Sequence, residues 1–218
     1  MTKILIASTG ADDWRRFLAD PEKQWKRGFS AMAAALSWET ADGLPREIAA
    51  LIGNSPELLL AIPEHKVQLP AKGHPSQCDV FALVRCEEKI WSVAVEAKVA
   101  EPFGSTVDEW LAHASVGKHK RLEGLCRILN TPYPPPGRLR YQLFHRTAAA
   151  ILEADRFNAD FAAMFVQSFS PSARWYDDFA DFCKLFGTAP LKNLTLKTEL
   201  PSGKTLALGW ATGSQEFI

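Results

Sequence analysis

Hydrophobic and polar positions change their period several times along the chain, and each change marks an element. Two apolar, β-branched runs, one through Val80-Phe81-Ala82-Leu83-Val84 and one through Ile90-Trp91-Ser92-Val93-Ala94-Val95, flank the charged break Cys86-Glu87-Glu88-Lys89. That pattern predicts a β-hairpin within 75–104, turning between Glu87 and Glu88. The apolar run Leu58–Ile62 and the alternating Lys66-Val67-Gln68-Leu69 predict the strand before it, completing a three-stranded meander. Pro63 and Pro70 confine that strand to an edge or a bend. Helical spacing predicts helices from Asp12-Asp13 to Ala19, restarting at Asp20-Pro21, and over 28–41, where Phe29, Met32, Ala33, Ala35 and Leu36 form the packing face. Pro45 opens a further helix over 46–53. Thr106-Val107-Asp108-Glu109 reads as a capping box and starts another. Helices over 116–129, 138–156 and 175–186 follow, with a buried strand over 161–169 between the last two. Pro201-Ser202-Gly203-Lys204 turns a second hairpin between 195–200 and 205–210. A short strand over 3–9 leads to Thr9-Gly10, but neither a Gly-x-Gly-x-x-Gly loop nor a Walker lysine accompanies it, so no nucleotide loop is assigned. Strand, helices and strand after the first hairpin give an α/β fold: a mixed central sheet with an antiparallel hairpin core, flanked by helices.

Composition narrows this picture. The 218 residues suit one domain, 1–218, with a helical N-terminal part (10–55), a core (58–170) and a C-terminal helix and hairpin (174–212). Hydrophobic content of 47% supplies a sizeable core, which most of the seven tryptophans should join. The formal net charge is zero, which argues against indiscriminate nucleic-acid binding while leaving room for a local basic groove. The four cysteines, 78, 86, 126 and 183, form no Cys-x-x-Cys pair, so four reduced thiols in a cytoplasmic protein are expected. The start Met-Thr-Lys-Ile-Leu-Ile-Ala is too short in apolar residues for a signal peptide, and no stretch approaches the ~20 apolar residues of a membrane span.

The second strand of the first hairpin carries two charges where a buried strand should carry none. Glu96 and Lys98 fall on one face, while Val95, Ala97 and Val99 fall on the other. With the turn at Glu87-Glu88, Asp79 lies directly opposite Glu96, where facing Cβ atoms are about 5 Å apart and like charges repel. A hard divalent cation such as Mg²⁺ or Mn²⁺ would hold two such carboxylates, and Lys98 would steady an attacking water or offset charge on a phosphate. Glu-x-Lys by itself describes a solvated edge with a weak ion pair. Here the charges interrupt an apolar run, an acid faces them by register, and Ala94 and Ala97 leave the backbone open beside the carboxylate. Glu64-His65-Lys66 on the preceding strand can turn toward the same place.

Asp79, a short hairpin and then Glu96-Ala97-Lys98 resemble the core of the PD-(D/E)XK, or restriction-endonuclease-like, nuclease superfamily. The proline that usually stands immediately before the aspartate is displaced to Pro75, with Ser76, Gln77 and Cys78 between. Most of the chain also resembles an uncharacterised bacterial protein family, marked by Ser37-Trp38-Glu39, Val95-Glu96-Ala97-Lys98, Glu101-Pro102-Phe103-Gly104 and Tyr141-Gln142-Leu143-Phe144-His145-Arg146. The nuclease resemblance implies a Mg²⁺- or Mn²⁺-dependent phosphodiesterase, with Asp79 and Glu96 as metal ligands, a third ligand from a backbone carbonyl near Ala97, and Lys98 on the water. It also implies a further acid from an upstream helix, Glu39 or Glu47. Gln142, His145 and Arg146 share one face of the 138–156 helix with Arg138 and are expected near the metal or the phosphate. Lys118 and Arg121 belong to a basic cluster that could hold a phosphate backbone or be a solvated helix face. DNA or RNA is the expected partner, a homo-oligomer is compatible, and no membrane is. The alternative is a binding or assembly module on the same scaffold without catalysis. A small-molecule hydrolase is a third reading, for which Gly-x-Ser-x-Gly and His-Glu-x-x-His are both missing.

Overall fold

The hairpin forms with the register that faces Asp79 toward Glu96. In the computed structural model, which describes residues 8–187 and 191–218, β2 (Ser76–Cys86) and β3 (Lys89–Lys98) pair antiparallel from Val80 opposite Val95 to Cys86 opposite Lys89. Glu87 and Glu88 form the two-residue turn, both with positive φ (50° and 61°), as the right-handed twist of the flanking strands demands. β1 (Glu57–Val67) pairs antiparallel with β2, with a register shift between Leu58 and Leu60, and lies at the sheet edge, where a proline such as Pro63 is tolerated.

Beyond β3 the sheet turns parallel. β4 (Phe161–Ser168) runs parallel to β3, β6 (Thr205–Thr212) parallel to β4, and β5 (Thr195–Glu199) closes the far edge antiparallel to β6. The order is β1-β2-β3-β4-β6-β5, a six-stranded mixed sheet flanked by helices, and the architecture is α/β. The β3–β4 crossover carries three helices, which together with a later one are assigned as α4 (Val107–Leu111), α5 (Val116–Leu129), α6 (Tyr141–Arg156) and α7 (Tyr176–Cys183). On one face of the sheet Leu122, Leu125, Leu143, Phe144 and Phe179 pack on Ala94, Met164, Val166 and Trp210. Upstream of the sheet lie α1 (Pro21–Gln24), α2 (Ser30–Thr40) and α3 (Arg46–Ile52). On the other face Trp14, Trp38, Ile48 and Leu51 meet Val93, Val95 and Phe165. Small residues on both partners bring α2 close, since Ala33 and Ala34 pack against Ala97. Because both faces of β3 are covered, its apolar run is nearly continuous. The charges at its carboxyl end are therefore exceptional within it.

Several expected boundaries move. The strand expected over 3–9 lies outside the described residues except for Ser8 and Thr9, which are not in a strand. The helix expected from Asp12 is a 3-10 helix, Ala11–Phe17, and Asp20 caps the short α1. The 138–156 helix begins at Tyr141, and the 175–186 helix divides into α7 and a 3-10 turn, Lys184–Phe186. All four cysteines are free and buried. Among the described residues no helix is long and apolar enough to cross a membrane.

Candidate active site

Strand alternation carries Glu96 and Lys98 to the face that α6 covers, at the carboxyl end of β3, where the sheet changes from antiparallel to parallel pairing. Crevices outside the carboxyl ends of parallel strands are habitual ligand sites in α/β sheets. Glu96 is 2% exposed and Lys98 5%. Removing either charge from water costs several kcal/mol or so unless partners replace the hydration, and the partners are present. Oε1 of Glu96 accepts from Lys98 Nζ at 2.5 Å and from Gln142 Nε2 at 2.7 Å, while Oε2 accepts from Arg146 Nε at 2.5 Å. Gln142 and Arg146 are one helical turn apart on α6, so both reach the same carboxylate.

Asp79 completes the constellation from β2. Its Oδ2 accepts from the Ala97 N–H at 2.6 Å, which fixes it beside Glu96 just past the last paired residues of the ladder. Glu64, from β1, enters from the other side. It follows Pro63 with φ +52° and takes a 2.8 Å hydrogen bond from Gln77 Nε2. The left-handed backbone at Glu64 is strain at a non-glycine residue.

Three carboxyls thus line one cavity with two cations, and their proton affinities separate. Burial alone would raise Glu96, but the charges of Arg146 and Lys98, with hydrogen bonds from both, bring its carboxyl down to about 2. Burial, followed by the charge of Glu96, lifts Asp79 to about 7 against the pull of Lys98, Arg146 and the Ala97 N–H. Burial and the charge of Asp79 lift Glu64 to about 8. Acids with affinities driven apart in one cleft can divide the roles of acid and base. Behind Arg146, its Nη1 donates to Ser76 Oγ at 3.0 Å, and Ser76 Oγ lies 2.9 Å from His145 Nδ1. The serine accepts from the guanidinium, which leaves its own O–H free to donate to a neutral ring. Burial and the adjacent Arg146 charge push His145 well below its usual range in the same sense.

Asp79, Glu96, Lys98, Gln142 and Arg146 line one cavity of about 450 Å³. His145 stands behind it, linked through Ser76. The remaining expected site residues are elsewhere. Lys118 Nζ donates to the Trp110 carbonyl at 2.8 Å and lies over the Trp110 ring, and Arg121 holds the Tyr141 hydroxyl at 2.9 Å and the His74 carbonyl. Arg121 is buried, so the solvated helix face does not extend to it. Glu39 accepts from Trp14 Nε1 at 2.6 Å beside a second cavity, and Glu47 accepts from Gln167 Nε2 at 2.6 Å. The reason is the direction of α2. Its N-terminal residues Ser30 and Ala31 line the site, and Glu39 lies nine residues on, about 13 Å further along the axis. The acid from the upstream side is Glu64 instead. His65 does not line the cavity, and its Nε2 lies 3.2 Å from Glu153 Oε2.

Sequence reading missed Glu101, Gln77 and the wall formed by 18–31. Glu101 Oε1 accepts from the Ser30 N–H at 2.8 Å, and Oε2 accepts from the N–H groups of Val99 and Ala100 at 3.0 Å each. The glutamate therefore ties the start of α2 to the end of β3. Its one sequence signal was a carboxylate in the first turn of chain after a charged strand end.

The donors facing the cavity are carboxylate and amide oxygens with no sulfur among them, which suits a hard divalent cation, and the mutual repulsion of Asp79 and Glu64 with Glu96 would be relieved by one. Among the described residues no three His, Cys, Asp or Glu side chains gather as a ready-made ion cage. An ion held by Asp79 and Glu96 therefore competes with Lys98 and Arg146 for the Glu96 carboxylate. No curated protein and no solved structure matches the chain. A domain of unknown function, DUF6946, matches residues 7–215, and with nearly its whole length covered the chain belongs to that family.

Proposed function

We propose that this protein is a Mg²⁺- or Mn²⁺-dependent phosphodiesterase of PD-(D/E)XK, restriction-endonuclease-like type, acting on nucleic acid. The observation that carries the reading is the meeting of Asp79, Glu96 and Lys98 at the end of the core hairpin, in one cavity with Gln142 and Arg146. The antiparallel hairpin core in a mixed sheet flanked by helices supports it as well.

A bound divalent cation, held by Asp79 and Glu96, would polarise the phosphodiester and acidify water. The chain's own groups do the rest. Arg146 and Gln142 keep Glu96 ionised and in one orientation. The Ala97 N–H does the same for Asp79. Lys98 Nζ, bonded to Glu96 and 5.1 Å from the centre of the Phe103 ring, orients the attacking water and offsets charge growing on the phosphate. Glu64, held near neutral affinity, receives or returns a proton at the same cleft.

The test is cleavage of labelled DNA and RNA with Mg²⁺ or Mn²⁺ by the full chain and by Lys98→Ala. Cutting should fall by about 10²–10³-fold in the variant, the scale of losing one electrostatic donor, with its melting curve still cooperative. Undiminished cutting by a folded Lys98→Ala protein would remove the role. One observation favours a second reading, a binding or assembly module without catalysis: every oxygen of Glu96 is already engaged by Lys98, Gln142 and Arg146. Calorimetry separates the two, because a module of that kind takes up no Mn²⁺ at millimolar concentration.

A further inference from the structure

The cavity has two unlike walls. One is the acid and base constellation at the ends of β2 and β3. The other comes from the segment 18–31, which contributes Leu18, Ala19, Lys23, Phe29 and Ala31. Phe29 precedes α2 and is 41% exposed, an aromatic ring presented to solvent at the rim of a polar site. A ligand matched to both walls has a charged group for one and a flat apolar face for the other. A nucleotide has both. The volume, about 450 Å³, is within the usual range for enclosing one small ligand of this size class.

Duplex fits poorly. Grip on a double helix comes from many phosphate contacts made by excess positive charge, and the chain has none, with 25 basic and 25 acidic residues. Four cations on or beside the crossover helices are engaged within the fold. Lys118 and Arg121 hold carbonyls and a tyrosine hydroxyl, Arg138 pairs with Asp181, and Arg140 pairs with Asp178. Affinity must then come from the base, and a base offers its face only when unstacked.

We propose that the cavity takes one unstacked nucleotide of a single strand, its base laid on Phe29 against Leu18 and its phosphate turned toward Lys98 and Lys23, which share their pairing with Glu96 and Asp20. The proposal rests on the phosphodiesterase reading for the identity of the phosphate-bearing group, and it adds the substrate class. Phe29 is a specificity-determining residue in this scheme, because a base can lay its face on the ring only when it is unstacked.

Binding is read by fluorescence anisotropy with short labelled single strands of DNA and of RNA and with the matching duplex, in EDTA and again in Ca²⁺, using the full chain. Single strands should bind more tightly than duplex. Tighter binding of one strand chemistry names the source of the nucleotide and supports the proposal so long as duplex is weaker than both. Phe29→Ala should weaken single-strand binding about 5- to 150-fold, the span of one base–aromatic stack, and Phe29→Trp should restore it. One phosphate neutralised predicts a shallow salt dependence, a slope of about −0.7 in log affinity against log salt. Equal affinity for duplex, or unchanged affinity in Phe29→Ala, overturns the proposal. If duplex is cut with Mg²⁺ by Phe29→Ala as by the parent, the substrate class fails while the phosphodiesterase reading stands. If single strands bind through Phe29 yet nothing is cut, the nucleotide site stands and the catalytic reading fails. Absence of both binding and cutting overturns the two together.

Discussion

At the scale of residues, Glu96 holds a full negative charge at a position almost sealed from water, and Lys98, Gln142 and Arg146 make that tenable. Arg146 matters most, since it brings charge and a hydrogen bond from a helix whose packing fixes it. Replacing it with methionine keeps bulk and leaves Glu96 with one cation. The expected loss is about 3–5 kcal/mol in denaturant unfolding, the cost of breaking a buried pair from one side. Adding both Glu96→Gln and Lys98→Met to Arg146→Met should recover most of it, because the buried glutamate and its remaining cation then leave together. Equal losses in the single and triple variants would assign the effect to packing alone. Asp79, Glu96 and Lys98 were legible from alternation plus one turn position. Glu64 was only half legible: its neighbourhood stood out as charged, but its carboxylate reaches the cleft through a left-handed backbone after Pro63 that alternation does not encode.

At the scale of elements, α2 shows how a distant residue finishes a local structure. Phe29 at its N-cap has no side-chain oxygen to offer the first turn, and Glu101, 71 positions beyond Ser30, accepts from the Ser30 N–H instead. A carboxylate there also meets the positive end of the helix. Glu101→Ala should cost about 1–2 kcal/mol, the scale of a lost cap, with Glu101→Gln retaining part of it, both read by urea unfolding. A loss no greater than a few tenths would mean water serves Ser30 equally well. The register of β2 with β3 was legible because a two-residue turn between apolar runs admits one symmetric pairing. Glu39, expected near the site, lies toward the far end of α2 beside another cavity. The helix was found, but the end of it that faces the cleft was not, since amphipathic spacing shows which side of a helix is buried and not which terminus points at a neighbour.

At the scale of the whole molecule, the three acids give stability an unusual dependence on pH. Asp79 and Glu64 have folded affinities raised to about 7 and about 8, above their unfolded values. Their contribution is complete below about pH 4, the unfolded carboxylate range, and is lost as pH rises through the folded values. Glu96, lowered to about 2, acts oppositely: its contribution is present above the unfolded value and is lost as pH falls toward the folded one. The melting temperature should therefore fall as pH rises from about 5 to 8, and Asp79→Asn should flatten that fall. A flat profile in the parent would show that water reaches these acids freely. The same repulsion predicts that Mn²⁺ raises the melting temperature most at the alkaline end, where both acids are ionised.

The sequence by itself determined the elements, the hairpin register and the triad of Asp79, Glu96 and Lys98. Each depends on side-chain period and turn chemistry, which act over a few residues. Only the tertiary structure decided that β4 lies beside β3 with β6 parallel to it, that α6 aims Gln142 and Arg146 at Glu96, and that the third acid is Glu64 and not Glu39. Those choices depend on how covered faces of one sheet share the available helices. That is settled by packing among residues far apart in the chain, such as Ala33 and Ala34 on Ala97, and no local pattern contains it.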